Sequence, residues 1–141
     1  MTLSEALIRY PGAETFRFGD TPEMMAEILG LVRSGRKTVT CDALAAFDAR
    51  GDALPEVGRI DIALDLADRP AVAIRTVEVL HIAFDDMSEA LVRDHGEFRS
   101  VNEWRVGYEA ELKRAGHFAP RVMMLVERFE VVEDFGVHAD I

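Results

Sequence analysis

The stretch Ser34-Gly35-Arg36-Lys37-Thr38-Val39-Thr40-Cys41 sets a turn glycine, two adjacent cations and the hydroxyls of Thr38 and Thr40 between a segment that reads as a helix and one that reads as a strand. Upstream, Thr21 is a capping residue, Pro22 suits the first helical position, Glu23 favours the positive end of the dipole, and Gly35 stops the helix. Met24, Ile28, Leu31 and Val32 recur at helical spacing, which predicts one side on the core and leaves Glu23, Glu27 and Arg33 in water. Downstream, Thr38-Val39-Thr40-Cys41 is short and β-branched, the composition of a strand. A glycine at such a junction turns the chain sharply and directs backbone N–H groups and cations into one small volume.

Working outward, a short helix is predicted from Thr2 to Arg9, and Asp42 to Arg50 reads as a helical turn or two. Leu54-Pro55-Glu56-Val57-Gly58 has the composition of a loop entering a strand. Two strands follow, Arg59 to Leu66 and Ala71 to Ile82, joined by the hairpin-like Ala67-Asp68-Arg69-Pro70. In the first, Ile60, Ile62, Leu64 and Leu66 alternate with Asp61, Ala63 and Asp65, the pattern of a half-buried strand. In the second the apolar phase shifts near Thr76, which predicts a bulge there. Asp85 or Asp86 caps a helix reaching about His95. Ser100 and Glu103 form a capping-box pattern that opens a longer helix ending at Gly116. A last strand runs from Arg121 to Val132. Strands grouped in the middle and at the end, with helices segregated between them, predict an α+β fold with a small antiparallel sheet that closes toward a barrel. There is no repeat or linker, so residues 1–141 read as a single domain with its core in 16–135.

The chain has 141 residues, 49% hydrophobic and 30% charged, enough to bury one core without staples. Its net charge of −10 opposes a long basic groove for nucleic acid, although one local cationic pocket remains compatible with it. No run approaches the roughly 20 apolar residues of a membrane span, and the N-terminus lacks the order of a signal peptide. The one cysteine, Cys41, cannot form an internal disulfide, which makes a cytoplasmic setting the simpler expectation.

Locally, Gly35-Arg36-Lys37 has a purely structural reading, since glycine stops helices and cations favour their C-terminal dipole. The functional reading needs a partner, and Thr40 supplies one. With the strand starting between them, Lys37 and Thr40 converge on a pocket at the sheet's end, where Lys37 favours a developing negative charge. Cys41 reads as a buried inert thiol. The histidines His81, His95, His117 and His138 have no metal-binding spacing, so no metal or cofactor is expected. Trp104 and Tyr108 lie four apart on one helix face, the mark of core packing, which turns Arg105 elsewhere, toward the cleft. The acidic residues Glu130, Glu133, Asp134 and Asp140 read as a solvated end.

Five segments in this order resemble the ASCH domain family, a relative of the PUA-like RNA-binding fold. They are 18–23 before the first long helix, the 34–41 signature, 54–58, Arg99-Ser100-Val101-Asn102-Glu103-Trp104-Arg105, and Val126-Glu127-Arg128-Phe129-Glu130-Val131-Val132. The resemblance spans roughly Phe16 to Phe135. It implies a small PUA-like β-barrel surrounded by helices, with a cleft at the signature turn for a nucleoside, nucleotide or RNA. Among bacterial relatives, one group hydrolyses 4-acetylcytidine with a lysine, a threonine and a later glutamate, and another has been described as cutting RNA. Lys37 and Thr40 match the first two positions. Counting back from Arg99-Ser100 puts Asp94 at the third, while Glu97 is the nearest true glutamate. In the amidohydrolase reading Lys37 accepts the Thr40 proton, Thr40 attacks the acyl carbon, and Asp94 or Glu97 passes a proton to the leaving amine. Gly35, Arg36, Thr38 and Arg105 are the substrate-binding candidates; on a phosphate ester Lys37 and Arg36 stabilise the phosphate charge, with Arg105 as a third cation. The alternatives are a non-catalytic RNA- or ligand-binding module and a ribonuclease of the same fold. Oligomeric state is not legible in the sequence.

Overall fold

Among the described residues, side-chain caps decide where four of the five α-helices begin. The computed structural model describes residues 1–136. Thr2 and Glu5 form a reciprocal capping box at the start of α1 (Leu3–Arg9), a stronger start than those residues announce. After the short β1 (Glu14–Phe16), the Thr21 hydroxyl accepts from the Met24 N–H and Pro22 opens α2 (Pro22–Arg33). The buried stripe of α2 is Met25, Ile28, Leu29 and Val32, while Met24 is exposed, so the helix is rotated by one position from the face its sequence suggests. At its end Gly35 takes φ 78°. The Gly35 N–H donates to Val32 O and the Arg36 N–H to Leu31 O, a left-handed cap that returns the chain toward the sheet.

Strand β2 (Val39–Ala43) then runs directly into α3 (Leu44–Arg50). Helical turns expected from Asp42 start at Leu44, because Asp42 and Ala43 extend the strand opposite residues Leu125 and Met124. Next come β3 (Ile60–Leu64), β4 (Pro70–Ala83), a 3-10 turn at Phe84–Asp86, α4 (Glu89–His95), α5 (Val101–Ala115) and β5 (Met123–Asp134). Ser88 caps α4 and Ser100 caps α5 through the Leu91 and Glu103 N–H groups. His138 and Asp140 lie outside the described residues.

The five strands form one mixed sheet in the order β1-β3-β4-β5-β2. All neighbours are antiparallel except β1 and β3, where Glu14 pairs with Asp61 in parallel. This edge pair departs from the all-antiparallel expectation, since a three-residue strand is too short to show alternation. Register shifts between Ala73 and Ile74 and between Thr76 and Glu78 break the β4–β5 ladder, the second where the sequence predicts a bulge. Bulges bend and twist a strand, so the sheet curls into a half-barrel with helices around it, the α+β architecture expected. β3 is covered on both faces: Ile62 and Leu64 pack with Ala6 of α1, Ala63 packs under α2, and Asp61 is buried. The alternation that predicted a half-buried strand therefore misled, because a central strand between two helical layers has no wet face.

One main core fills the opposite side of β2. Val39, Cys41 and Ala43 pack with Met124 and Val126 against α4 and α5. Trp104 is fully buried there, stacked on Tyr108 at 5.0 Å and against Phe84 at 4.9 Å, which fits the core reading of both rings. His95, at 0% exposure, completes this layer. Its Nδ1 lies 2.8 Å from Leu91 O, so that nitrogen carries the proton, and Nε2, 3.2 Å from Cys41 Sγ, accepts from the thiol. Burial, reinforced by the Lys37 charge, lowers the imidazole pKa to about 4, and burial pushes the Cys41 thiol up to about 12. Cys41 is thereby an inert thiol.

Helix α4 ends on Gly96 with φ 74°, and here the backbone approaches closely. A Cβ at Gly96 would lie 2.8 Å from Arg36 O and 3.2 Å from Lys37 N, whereas one at Gly51, with φ 69°, would meet nothing within 4 Å. Gly51→Ala should cost only the left-handed penalty, about 1 kcal/mol. Gly96→Ala should cost at least ~1 kcal/mol more by urea unfolding, because the signature turn must move. Equal costs would show that this contact is not tight.

A second expectation concerns pH. The folded protein keeps His95 neutral down to about pH 4, whereas the unfolded chain protonates it near 6.5. The contribution is whole above pH 6.5 and is lost as pH falls from 6.5 toward 4. Between pH 7 and pH 5 it should remove about 2 kcal/mol of unfolding free energy, a loss that His95→Gln abolishes. An unchanged pH profile in His95→Gln would contradict a buried neutral imidazole.

Candidate functional site

The signature turn is pinned from three directions. The Thr38 N–H donates to Asp94 O at 2.8 Å, Gly96 abuts Arg36, and the Lys37 side chain turns inward to 2% exposure. Its ammonium donates to Val39 O at 2.7 Å, to Glu97 Oε2 at 2.7 Å and to His95 O at 3.4 Å. Three acceptors match the three protons of an ammonium, so the buried charge is both paired and fully hydrogen-bonded. Of the two carboxylates the sequence leaves open, Glu97 is the one on Lys37. Asp94 instead receives Arg128 Nη1 at 2.9 Å, and Arg128 also reaches Thr38 Oγ1 at 3.4 Å. Glu97 keeps 24% of its side chain exposed, which makes it the solvent-facing member of the pair.

Thr40 does not join this group. In β2 the side chains of Val39, Cys41 and Ala43 enter the α4–α5 core, so Thr40 and Asp42 emerge on the opposite face. The Lys37 ammonium lies on the α4 side, and none of its hydrogen bonds goes to Thr40. Thr40 is instead in register with Glu127 of β5. The Glu127 carboxylate accepts from the Thr76 hydroxyl, and burial raises its pKa against the opposing effect of that bond, with the nearby Asp61 charge raising it further. Asp61, 5% exposed, pairs with Arg59 through Oδ2 at 2.8 Å, while its Oδ1 has no partner. This polar group was missed because Asp61 reads as the wet side of an alternating strand, and Glu127 lies across the sheet from it in sequence-distant β5.

The remaining candidates separate. Gly35 shapes the turn, and Arg36 is exposed on the wall of a polar cavity of about 460 Å³ that Arg93, Asp94, Gly96, Arg99 and Ser100 also line. Arg105 is not on that wall: its Nη2 donates to Asp85 O at 2.8 Å, at the 3-10 turn. A second cavity, about 550 Å³ and lined by Leu44, Leu54, Val122 and Met123 among others, includes none of the candidate residues. Among the described residues no group of His, Cys, Asp and Glu is placed to hold a metal ion, and no helix is long and apolar enough to cross a membrane. The tail acids expected in free solution are engaged: Glu133 takes Arg9 and Tyr10, Asp134 takes Arg33, and Glu130 takes Arg75.

Comparison with known proteins agrees with this fold. The crystal structure of protein EF3133 from Enterococcus faecalis V583 superposes with a TM-score of 0.77 at 29% identity, covering 92% of this chain and 84% of that one. An ASCH domain from Lactobacillus crispatus JV V101 gives 0.75 at 21% identity, covering 91% of this chain and 84% of the other, a likeness of fold. No curated protein matches the chain. The family model of the ASCH domain matches residues 14–133, and with the sheet order, the signature turn and the Lys37–Glu97 pair all lying in that span, this chain belongs to the ASCH domain family.

Proposed function

We propose that this domain binds a nucleotide or an RNA segment at the signature turn. The observation that carries the reading is the polar cavity beside that turn, with Arg36 on its wall and the turn itself held rigid by the Lys37 hydrogen bonds and the Gly96 contact. A site whose backbone is fixed before the ligand arrives loses less entropy on binding. In a chain of net charge −10, this localised site suits one or a few phosphates and bases rather than a long duplex.

A second reading, an amidohydrolase acting on 4-acetylcytidine-like substrates, is favoured by one observation: a carboxylate, Glu97, sits 2.7 Å from Lys37. With all its protons engaged, Lys37 acts in this reading as the fixed charge that orients Glu97, and the partly exposed Glu97 takes a proton from the water that attacks the acyl carbon and passes it to the amine as the C–N bond breaks. Thr40 lies on the opposite face of the sheet, with Glu127 as its register partner, and takes no part in that step. A ribonuclease would use the same Glu97 and Arg36 on a phosphodiester.

Lys37→Met should destabilise the fold by about 3 kcal/mol, since it leaves Glu97 and two carbonyls without their donor. Glu97→Gln keeps a hydrogen-bond acceptor for Lys37 and should fold normally. The functional test measures binding of a labelled single-stranded RNA and release of acetate from 4-acetylcytidine by wild type, Glu97→Gln and Thr40→Ala. Binding should be retained in Glu97→Gln and weaken with salt. Acetate release that falls at least a hundredfold in Glu97→Gln, with binding intact, selects the hydrolase. Binding without release selects the non-catalytic module, and loss of both in the wild type removes the nucleotide reading.

A further inference from the structure

Cations are scarce in this chain, and nearly all are already used. Among the described residues, every Lys or Arg outside one group pairs with a carboxylate or, like Arg105, donates to a carbonyl. The exceptions are Arg36, Arg93 and Arg99, which form no ion pair with any described residue. All three line the same cavity of about 460 Å³. They arrive from three separate elements: Arg36 from the signature turn, Arg93 from the last turn of α4, and Arg99 from the residue before the α5 cap. Acids outnumber bases here, 26 to 16, so random placement would pair such side chains. Three like charges gathered around one concavity and left unpaired repel one another, an arrangement that an anion relieves.

The wall adds further donors. Ser100 Oγ accepts the Glu103 N–H at 3.1 Å, so the cap is formed and the Val101 and Asn102 N–H groups remain free at the positive end of the fifteen-residue α5. Ser100 and Val101 both line the cavity. The acids on the same wall are Glu89 and Asp94, and Asp94 is already neutralised by Arg128. Guanidinium forks and helix amides together match phosphate oxygens better than a single carboxylate.

We infer that this cavity is a phosphate subsite, holding the phosphoryl group of a nucleotide or of an RNA strand, with Arg93 and Arg99 as its principal cations and Arg36 joining it to the Lys37–Glu97 pair. The inference rests on the nucleotide reading for its ligand class, and it excludes Arg105 from phosphate binding. Arg36 and Gly96, the chain neighbours of Lys37 and Glu97, line this wall, which sets the cavity next to the signature turn.

The test uses the full chain, the double variant Arg93→Ala/Arg99→Ala, and Arg121→Ala as a control whose guanidinium pairs with Asp86 outside the cavity. Probes are cytidine, cytidine 5′-monophosphate, inorganic pyrophosphate and a short single-stranded RNA, read by calorimetry and by thermal unfolding. The monophosphate should bind wild type and Arg121→Ala at least tenfold more tightly than cytidine, with a salt dependence that cytidine lacks. The double variant should lose that advantage while keeping its unfolding temperature. RNA binding weakened at least tenfold in the double variant assigns the phosphate to a nucleic acid. Binding of the monophosphate or pyrophosphate without RNA assigns it to a small phosphate. Pyrophosphate binding that the double variant loses, in a protein that takes no nucleoside or RNA, upholds the subsite and removes the nucleotide function. Equal binding of every phosphorylated probe by wild type and double variant, or no binding of any, overturns the subsite.

Discussion

A buried ammonium organises this domain. Lys37 sits inside the protein with its charge balanced by Glu97 and its remaining protons given to Val39 O and His95 O. An isolated ammonium at that depth would cost several kcal/mol, so the fold is stable only with those acceptors in place. They come from the start of β2, the end of α4 and the loop before α5. One side chain therefore ties three segments together. The Thr38 N–H bond to Asp94 O and the Gly96 contact with Arg36 lock the same seam through the backbone. The cavity between α4 and α5 inherits its shape from this seam.

Much of this was legible in local chemistry. Thr21, Pro22 and Gly35 mark α2 because caps act within one turn, and Ser100 marks α5 for the same reason. The phase change near Thr76 reports the bulge because the side-chain period of a strand is strictly two. What failed was whatever depends on partners distant in sequence. Glu14–Phe16 becomes a strand only because β3 offers an edge, and Asp61 is buried only because helices cover both faces of β3. Asp94 and Glu97 are equally plausible partners for Lys37 until helix geometry is fixed. Gly96 in its left-handed conformation then carries the chain round so that Glu97 meets Lys37, while Asp94, still on α4, meets Arg128 of β5.

The distribution of charge follows a comparable logic. With many more acids than bases, ion pairing is set by the supply of cations, and surface pairs of this kind contribute little stability each. A cation left unpaired in such a chain is therefore more informative than a paired one. Arg9, Arg33 and Arg75 are spent along β4 and β5, where they neutralise Glu133, Asp134 and Glu130. Arg36, Arg93 and Arg99 form no ion pair with a described residue and gather around one wall, where they outnumber Glu89 and Asp94 although acids outnumber bases in the chain as a whole.

The spacing of Lys37 and Thr40 carries one more consequence. On a helix, residues three apart share a face; on a strand they point to opposite faces. Lys37 lies two residues before the first residue of β2, and its ammonium is drawn to the α4 side by acceptors there. Thr40 lies inside the strand and is committed to the other side by the burial of Val39 and Cys41. The signature thus serves two faces of the sheet at once, its ammonium closing the seam with α4 and its second hydroxyl facing Glu127 across β5. Glu127 is a carboxylate that burial holds toward its neutral form, beside the orphaned Asp61 Oδ1. Any chemistry that runs through Thr40 must find its proton acceptor on that face, because the Lys37–Glu97 pair and the Thr40–Glu127 neighbourhood lie on opposite sides of one strand.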